Sequence, residues 1–167
     1  MPPVYGTVTV SGQTTKRGND MRRRVLAAAI VIAAGFAAFG AEAQQGNTIN
    51  VVVSGIKDNV GSIRCGLFNS AASFPKDDQR FQGVEAPIAN GQATCTFNNV
   101  PPGTYAVAYF KAAPGQTKMN TGMFGMPQDP YGFSRNATIG MGPPSFNSAA
   151  YSFGGGNTTW PVTITYP

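Results

Sequence analysis

The segment VEAPIANGQATCTF, residues 84–97, decides the fold of this chain. On both sides of its centre, apolar side chains occupy every second position, which is the pattern of β-strands with one buried face. The central dipeptide Asn90-Gly91 suits the positive φ angles of a two-residue hairpin turn. The segment therefore predicts a β-hairpin, in which two antiparallel strands are joined by a tight turn.

The same alternation recurs along most of the chain. The predicted strands are residues 49–53, 63–67, 84–88, 93–97, 104–110, 151–153 and 160–166. Residues 104–110 are almost uninterruptedly apolar and follow a sharp turn at Pro101-Pro102-Gly103, as is typical of a central strand buried on both faces. About seven strands and no convincing amphipathic helix predict an all-β fold, a two-layer antiparallel β-sandwich of immunoglobulin-like or transthyretin-like outline. A small barrel is the alternative.

A long segment, Lys111 to Asn147, precedes the sixth predicted strand and shows no sustained periodicity. It is too long for a plain connection, and loops carried on a rigid sheet are common binding sites. The candidate binding surface within it consists of Met123, Phe124, Met126, Tyr131 and Phe133. Such a methionine and aromatic patch would dock a partner or an extended glycan. The alternative is that these side chains fold back and cover an open end or face of the sandwich.

The N-terminal region reads as a targeting segment. Arg22, Arg23 and Arg24 form a basic n-region, residues 25–39 an apolar h-region, and Ala41-Glu42-Ala43 a cleavage site. The apolar run is shorter than the ~20 residues of a membrane-spanning helix. Residues 21–43 are therefore predicted to be a cleaved signal peptide, which leaves no stable membrane span.

The predicted signal peptide implies the organisation of the rest of the chain. Residues 1–20 are interpreted as a start placed too early or a disordered leader, and residues 44–167 as one β-sandwich domain in the periplasm or outside the cell. That domain keeps seven lysines and arginines against five acids, so its net charge is only +2. No basic stripe for nucleic acid remains.

The two cysteines, Cys65 and Cys95, both lie in the predicted domain and alternate in phase with large apolar neighbours. Each should point into the core. An oxidising compartment makes a disulfide the default, joining two strands or the two layers. The alternatives are a metal pair or a reactive thiol, and neither is accompanied by a histidine or by a CxxC spacing.

The chain contains no histidine, which excludes Ser-His-Asp and Cys-His nucleophile pairs and the common zinc sites. A pair of catalytic carboxylates must face each other across a cleft, whereas the adjacent Asp77 and Asp78 would point to opposite sides of an extended chain. We therefore expect no catalytic residue, metal site or cofactor. The expected function is a non-catalytic binding or structural module that acts on an unknown envelope protein or glycan.

Two other functions stay open. A carbohydrate-binding module would line up Trp160, Tyr131 or Tyr151 on one exposed sheet face. An acid-dependent hydrolase would use carboxylates together with Tyr131, and its candidates are Asp77, Asp78, Glu85 and Asp129.

Two motifs carry a family resemblance. They are PPGTYA, residues 101–106, and GMPQDPYGFS, residues 125–134. With them the chain resembles, over Asn47 to Tyr166, a family of small secreted bacterial proteins of unknown function. The resemblance implies export and a β-sandwich of transthyretin-like or carboxypeptidase-regulatory type, and it implies no particular activity.

One departure from this family concerns calcium. Typical members have a segment of the form His-Asp-Glu-Asn-Gly-Asn-Gly-Lys-Leu-Asp that resembles a calcium loop. The corresponding residues 111–120 read KAAPGQTKMN, with no carboxylate and with two lysines. This chain is therefore predicted not to bind calcium there, and calorimetric titration showing micromolar calcium binding would contradict that prediction.

Overall fold

A computed structural model describes residues 46–167. The predicted leader, residues 1–20, and the predicted signal peptide, residues 21–43, lie outside the described residues. The described part is all-β, which confirms the predicted fold class. Its strands are β1 (Thr48–Ser54), β2 (Ser62–Phe68), β3 (Gln82–Pro87), β4 (Ala93–Phe97), β5 (Gly103–Ala112), β6 (Tyr131–Phe133), β7 (Tyr151–Phe153) and β8 (Asn157–Thr163).

The eight strands form two sheets. One has the order β4-β1-β8, and the other has the order β3-β2-β5-β6, with β7 also paired to β5. Strands β6 and β7 occupy successive parts of the same edge of β5. As predicted from its apolar run, β5 is central and largely buried. A short helix, α1 (Phe146–Ala149), precedes β7, and within residues 46–167 no helix is long and apolar enough to cross a membrane.

The structure has one strand more than predicted. Strand β6 lies inside the segment interpreted as a long loop, where it pairs with residues 108–110 of β5. Three residues with a glycine in the middle are too few to give an alternation signal. The antiparallel pairing predicted for the sandwich is found between all paired strands except β8 and β1, which run parallel. The chain enters the β4-β1-β8 sheet at Gly156, which lies beside the start of β1. Strand β8 therefore runs in the same direction as β1.

The predicted hairpin is confirmed at its turn and wrong in its pairing. Asn90 and Gly91 both have positive φ angles, and the Ala89 and Gln92 backbones exchange two hydrogen bonds around them. Beyond this turn the strands separate, because β3 pairs with β2 and β4 pairs with β1 in the other sheet. A tight turn requires only that the two residues closing it be hydrogen-bonded to each other. Each strand then pairs where its apolar face becomes buried between the sheets.

The core lies between the two sheets, and the disulfide crosses it. Cys65 of β2 and Cys95 of β4 belong to different sheets, and their sulfur atoms lie 2.07 Å apart. Both cysteines are buried among the apolar side chains of the core. The predicted disulfide is confirmed, and it joins the two layers.

Tyr109 links the layers by a hydrogen bond. Its hydroxyl donates to the Thr163 backbone oxygen at 2.9 Å, and burial raises the pKa of Tyr109 far above its ordinary value of 10.0. The unfolded chain ionises this phenol above about pH 10 while the folded chain keeps it neutral, so the folded state binds more protons there. We expect the free energy of unfolding to be unaffected by this group below about pH 10 and to fall by about 1.4 kcal/mol per pH unit above it. Urea denaturation between neutral and strongly alkaline pH measures this slope, and Tyr109→Phe should reduce it.

Candidate functional site

On the outer face of the five-stranded sheet, three neighbouring positions carry either no side chain or only a methyl group. Strand register places Gly83, Gly66 and Ala108 side by side on β3, β2 and β5. Because side chains alternate along a strand, these three positions face away from the core. The row forms a trough across the strands, in which the Arg80 and Phe68 side chains lie against the two glycines and which Phe133 borders at the β6 end.

The trough is the floor of a groove of about 1000 Å³. The groove has two walls, which are formed by residues on either side of the trough. The charged wall comes from β2, β3 and the segment between them, and its groove-lining residues are Arg64, Asp77, Asp78, Arg80 and Glu85. The apolar wall comes from β5, β6 and the long segment after β5, and its groove-lining residues include Phe110, Met119, Phe124, Met126, Tyr131 and Met141.

Two ion pairs order the charged wall. Arg64 contacts Glu85 at 2.6 Å, and Ser62 donates a hydrogen bond to the other carboxylate oxygen. Arg80 contacts Asp77 at 2.6 Å and lies so close over Gly83 that a Cβ atom there would collide with it. The arginine side chains are 27% and 34% exposed, whereas their carboxylate partners are 53% and 60% exposed. The cations are therefore less accessible to solvent than the anions.

The structure separates the five predicted surface residues. Met123, Phe124 and Met126 are 80%, 97% and 63% exposed on a short hairpin in which Thr121 pairs with Pro127. Phe124 adopts a positive φ of 60°, a conformation that is uncommon for a bulky residue. Tyr131 is half-buried in the groove wall.

Phe133 differs from the other four because it is buried. It belongs to a second apolar cluster on the outer face, where Phe74 contacts it edge to face. Its neighbours in that cluster are Phe68, Phe74, Ala106, Ala149 and Ala150. Half of the long segment thus covers the sheet, as the alternative interpretation expected, while the hairpin at residues 121–127 stays exposed.

A polar network holds the base of this hairpin. The carboxylate of Asp129 accepts hydrogen bonds from the Gln116 side chain and from the backbone and side chain of Asn120. Nearby, the Lys111 ammonium beside Asp58 and the Val60 backbone N–H lower the pKa of the Asp58 carboxyl. Residues 46–167 contain no group of three or more histidines, cysteines or acids that could hold a metal ion. The absence of calcium binding stays a prediction.

Sequence analysis did not name the residues that form the floor, although two of them carry a recognisable signal. Glycine inside a strand often marks a close approach of a ligand or of another chain segment, and Gly66 and Gly83 carried that signal. Arg80 carried no such sequence signal, because its position over Gly83 depends on the path of the segment between β2 and β3.

Of the three aromatic residues proposed for a sugar platform, only Tyr131 lines the groove. Trp160 is buried in the core and stacks on the half-buried Tyr151, with ring centroids 4.7 Å apart. These two residues do not form an exposed row with Tyr131. Of the acids proposed for a hydrolase, Asp77, Asp78 and Glu85 line the groove, whereas Asp129 holds the hairpin.

Ser134, the last residue of the GMPQDPYGFS motif, has a structural role. Its fully buried hydroxyl accepts a hydrogen bond from the Val107 N–H at 2.8 Å and donates one to the Ala149 oxygen at 2.6 Å. Ser134→Ala leaves both backbone groups unpaired, so we expect it to lower the free energy of unfolding by about 2 kcal/mol. Urea denaturation measures the loss. The exposed Ser152 is a matched control, and equal effects of the two alanine substitutions would contradict this role.

A family model described as an uncharacterized protein conserved in bacteria (DUF2141) matches residues 51–161, a range that includes every strand of the groove floor. No curated protein and no solved structure matches the chain.

Proposed function

Because the chain belongs to this bacterial family, whose description assigns no activity, we propose from the groove itself that the protein is a non-catalytic binding module. The groove on the outer sheet face is the ligand site. The hairpin at residues 121–127 forms part of its wall and selects the ligand.

The observation that carries this proposal is a preformed concavity of about 1000 Å³ on a rigid sheet. Its volume is in the range of natural ligand sites, which combine apolar walls with a few fixed polar groups. The floor is rigid because β2 and β5 lie inside the five-stranded sheet. The disulfide and Tyr109 tie these strands to the β4-β1-β8 sheet. A ligand would therefore meet a formed surface.

The carboxylates support a binding role over catalysis. Glu85 accepts hydrogen bonds on both oxygens, from Ser62 and Arg64, and Asp77 is paired with Arg80. Both side chains are more than half exposed. Carboxylates held in this way fix the arginine side chains in place, which is a positioning role within a binding site.

An acid-dependent hydrolase is the second candidate, because three acids and Tyr131 line one groove. Under that function, Glu85→Gln or Asp78→Asn should lower hydrolysis of chromogenic esters or glycosides by about 100-fold. Asp58→Asn is the matched control, since Asp58 is exposed and lies outside the groove lining. Activity that persists equally in all three variants would remove this candidate.

We place the protein in the periplasm or outside the cell. The predicted signal peptide supports this location, and so does the disulfide, because disulfides persist in oxidising compartments. Fractionation of producing cells, with mass mapping of the N-terminus, tests the location and the expected start at Gln44 together.

A thermal-shift panel tests the binding role. The panel contains muropeptides, oligosaccharides, single-chain lipids and apolar peptides, and a ligand at a hundredfold excess over its Kd should stabilise the fold by about 2.7 kcal/mol. Ala108→Trp fills the floor of the groove, and Thr159→Trp places the same side chain on an exposed position of the opposite sheet. Stabilisation of the wild type and Thr159→Trp but not of Ala108→Trp is expected. A ligand that stabilises all three, or no ligand at all, would contradict the proposal.

A further inference from the structure

Resting on the proposed binding role, we infer that the groove takes an amphipath with one alkyl chain and an anionic head group. The alkyl chain lies along the apolar wall. The head group meets the guanidinium groups of Arg64 and Arg80 on the opposite wall. A single ligand would then use both walls of the groove.

The chemistry of the apolar wall favours a flexible chain. Its most accessible side chains are Phe124, Met126 and Met141, and Met141 is fully exposed on a second loop, residues 139–143, that also borders the groove. Methionine is unbranched and polarizable, so it adapts its shape to an apolar ligand that has no fixed conformation. So many large apolar groups around one concavity are unfavourable in water unless a ligand covers them.

The aromatic rings of the groove do not form a platform for a flat ring. Phe110 and Phe133 are buried, so only small parts of their rings reach the groove. Phe124 is exposed but lies at the tip of the hairpin. Sugar binding depends on open aromatic faces, whereas an alkyl chain needs only apolar surface.

The cations of the groove lining offer hydrogen-bond donors to an anionic head group, and they stand beside an equal number of carboxylates, Asp77, Asp78 and Glu85. Arg64 and Arg80 are less exposed than their carboxylate partners, and within residues 46–167 each uses only its Nη1 atom in hydrogen bonds. A guanidinium has five N–H donors, so the remaining donors of both arginines can bind oxyanion oxygens. Lys118 adds a third cation to the groove lining.

Displacement of a dansyl-labelled undecanoate from the full-length purified protein tests the ligand class. Octanoate, decanoate, dodecanoate and tetradecanoate compete below their micelle-forming concentrations. Burial of each added methylene should tighten binding roughly two- to four-fold until the groove is filled. Dodecyl maltoside reports on the neutral head group, and lauroyl lysophosphatidylglycerol distinguishes a lipid phosphate from a free carboxylate. We expect both anionic ligands to bind more tightly than the neutral one.

Two methionines of the hairpin form a matched pair of variants. Met126 lines the groove, whereas Met123 is exposed on the same turn without lining it. Met126→Asp should weaken dodecanoate binding at least about ten-fold, and Met123→Asp should leave it unchanged. Lys118→Gln should weaken dodecanoate two- to five-fold without changing dodecyl maltoside, with the exposed Lys76→Gln as its control.

Several results would overturn this inference. They are no displacement of the probe by any of the fatty acids, no dependence on chain length, tighter binding of the neutral ligand, or equal losses in Met123→Asp and Met126→Asp. The last result would mean that the exposed hairpin as a whole, and not the groove wall, holds the ligand. The proposed binding role would survive if an apolar peptide or a glycan bound instead and Ala108→Trp blocked it. It would fail with the inference if Ala108→Trp changed nothing.

Discussion

Replacing Cys65 and Cys95 together by alanine is expected to lower the free energy of unfolding by about 3.5 kcal/mol. The disulfide closes a loop with a sequence separation of 30, and cross-linking such a loop restricts the unfolded chain by about this amount in the chain-entropy model. A loss of that size is a large part of the total stability of a small domain. Urea denaturation of the double variant, compared with the wild type, measures it.

The same comparison in a strong reductant is the internal control. Reduction should lower the urea midpoint of the wild type toward that of the double variant and should leave the midpoint of the variant unchanged. A wild-type midpoint that is insensitive to reduction, in a protein shown by thiol titration to be fully reduced, would mean that the two sheets hold together without the cross-link.

Gly132→Ala is expected to lower the free energy of unfolding by about 3 kcal/mol. Gly132 of β6 lies opposite Tyr109 of β5, and a Cβ atom on it would lie 2.5 Å from the Cζ atom of that ring. The ring has little freedom to move, because it is buried and its hydroxyl is bonded to Thr163 of the other sheet. The added methyl group must therefore displace β6 or break the link between the layers.

Gly154→Ala is the matched control, since no atom lies within 4 Å of the position of its added Cβ. Thermal or urea unfolding should separate the two alanine variants clearly. A stability of Gly132→Ala within 0.5 kcal/mol of the control, a difference typical of surface substitutions, would show that Tyr109 can rearrange at little cost.

Both motifs quoted from the sequence contain residues that build the fold, and the second motif also supplies groove-lining residues such as Met126 and Tyr131. In PPGTYA, the Tyr105 hydroxyl donates to the Pro101 oxygen at 2.9 Å, a bond that fixes the entry into β5. In the second motif, Gly132 accommodates Tyr109 and Ser134 ties β5 to the end of α1.

The candidate site was predictable only in part. Phe124 and Met126, which line the groove, were among the predicted surface residues because large apolar residues in a loop without periodicity must either cover a surface or face solvent. The same reasoning could not separate them from Phe133, which differs only in that pairing with β5 directs it onto the sheet. The arginines of the charged wall, Arg64 and Arg80, were not predicted, because strand register and loop path bring them to the groove beside the acids that the sequence had suggested.

The sequence alone determined the all-β class, the inward direction of Cys65 and Cys95 and the turn at Asn90-Gly91, because alternation and turn chemistry act between neighbouring residues. Only the tertiary structure decided that β3 and β4 separate into different sheets, that β8 runs parallel to β1, and that Gly66, Gly83 and Ala108 form one trough. These features depend on which distant strands become partners. That choice is made by the total apolar area buried between the layers, a quantity that no local pattern contains.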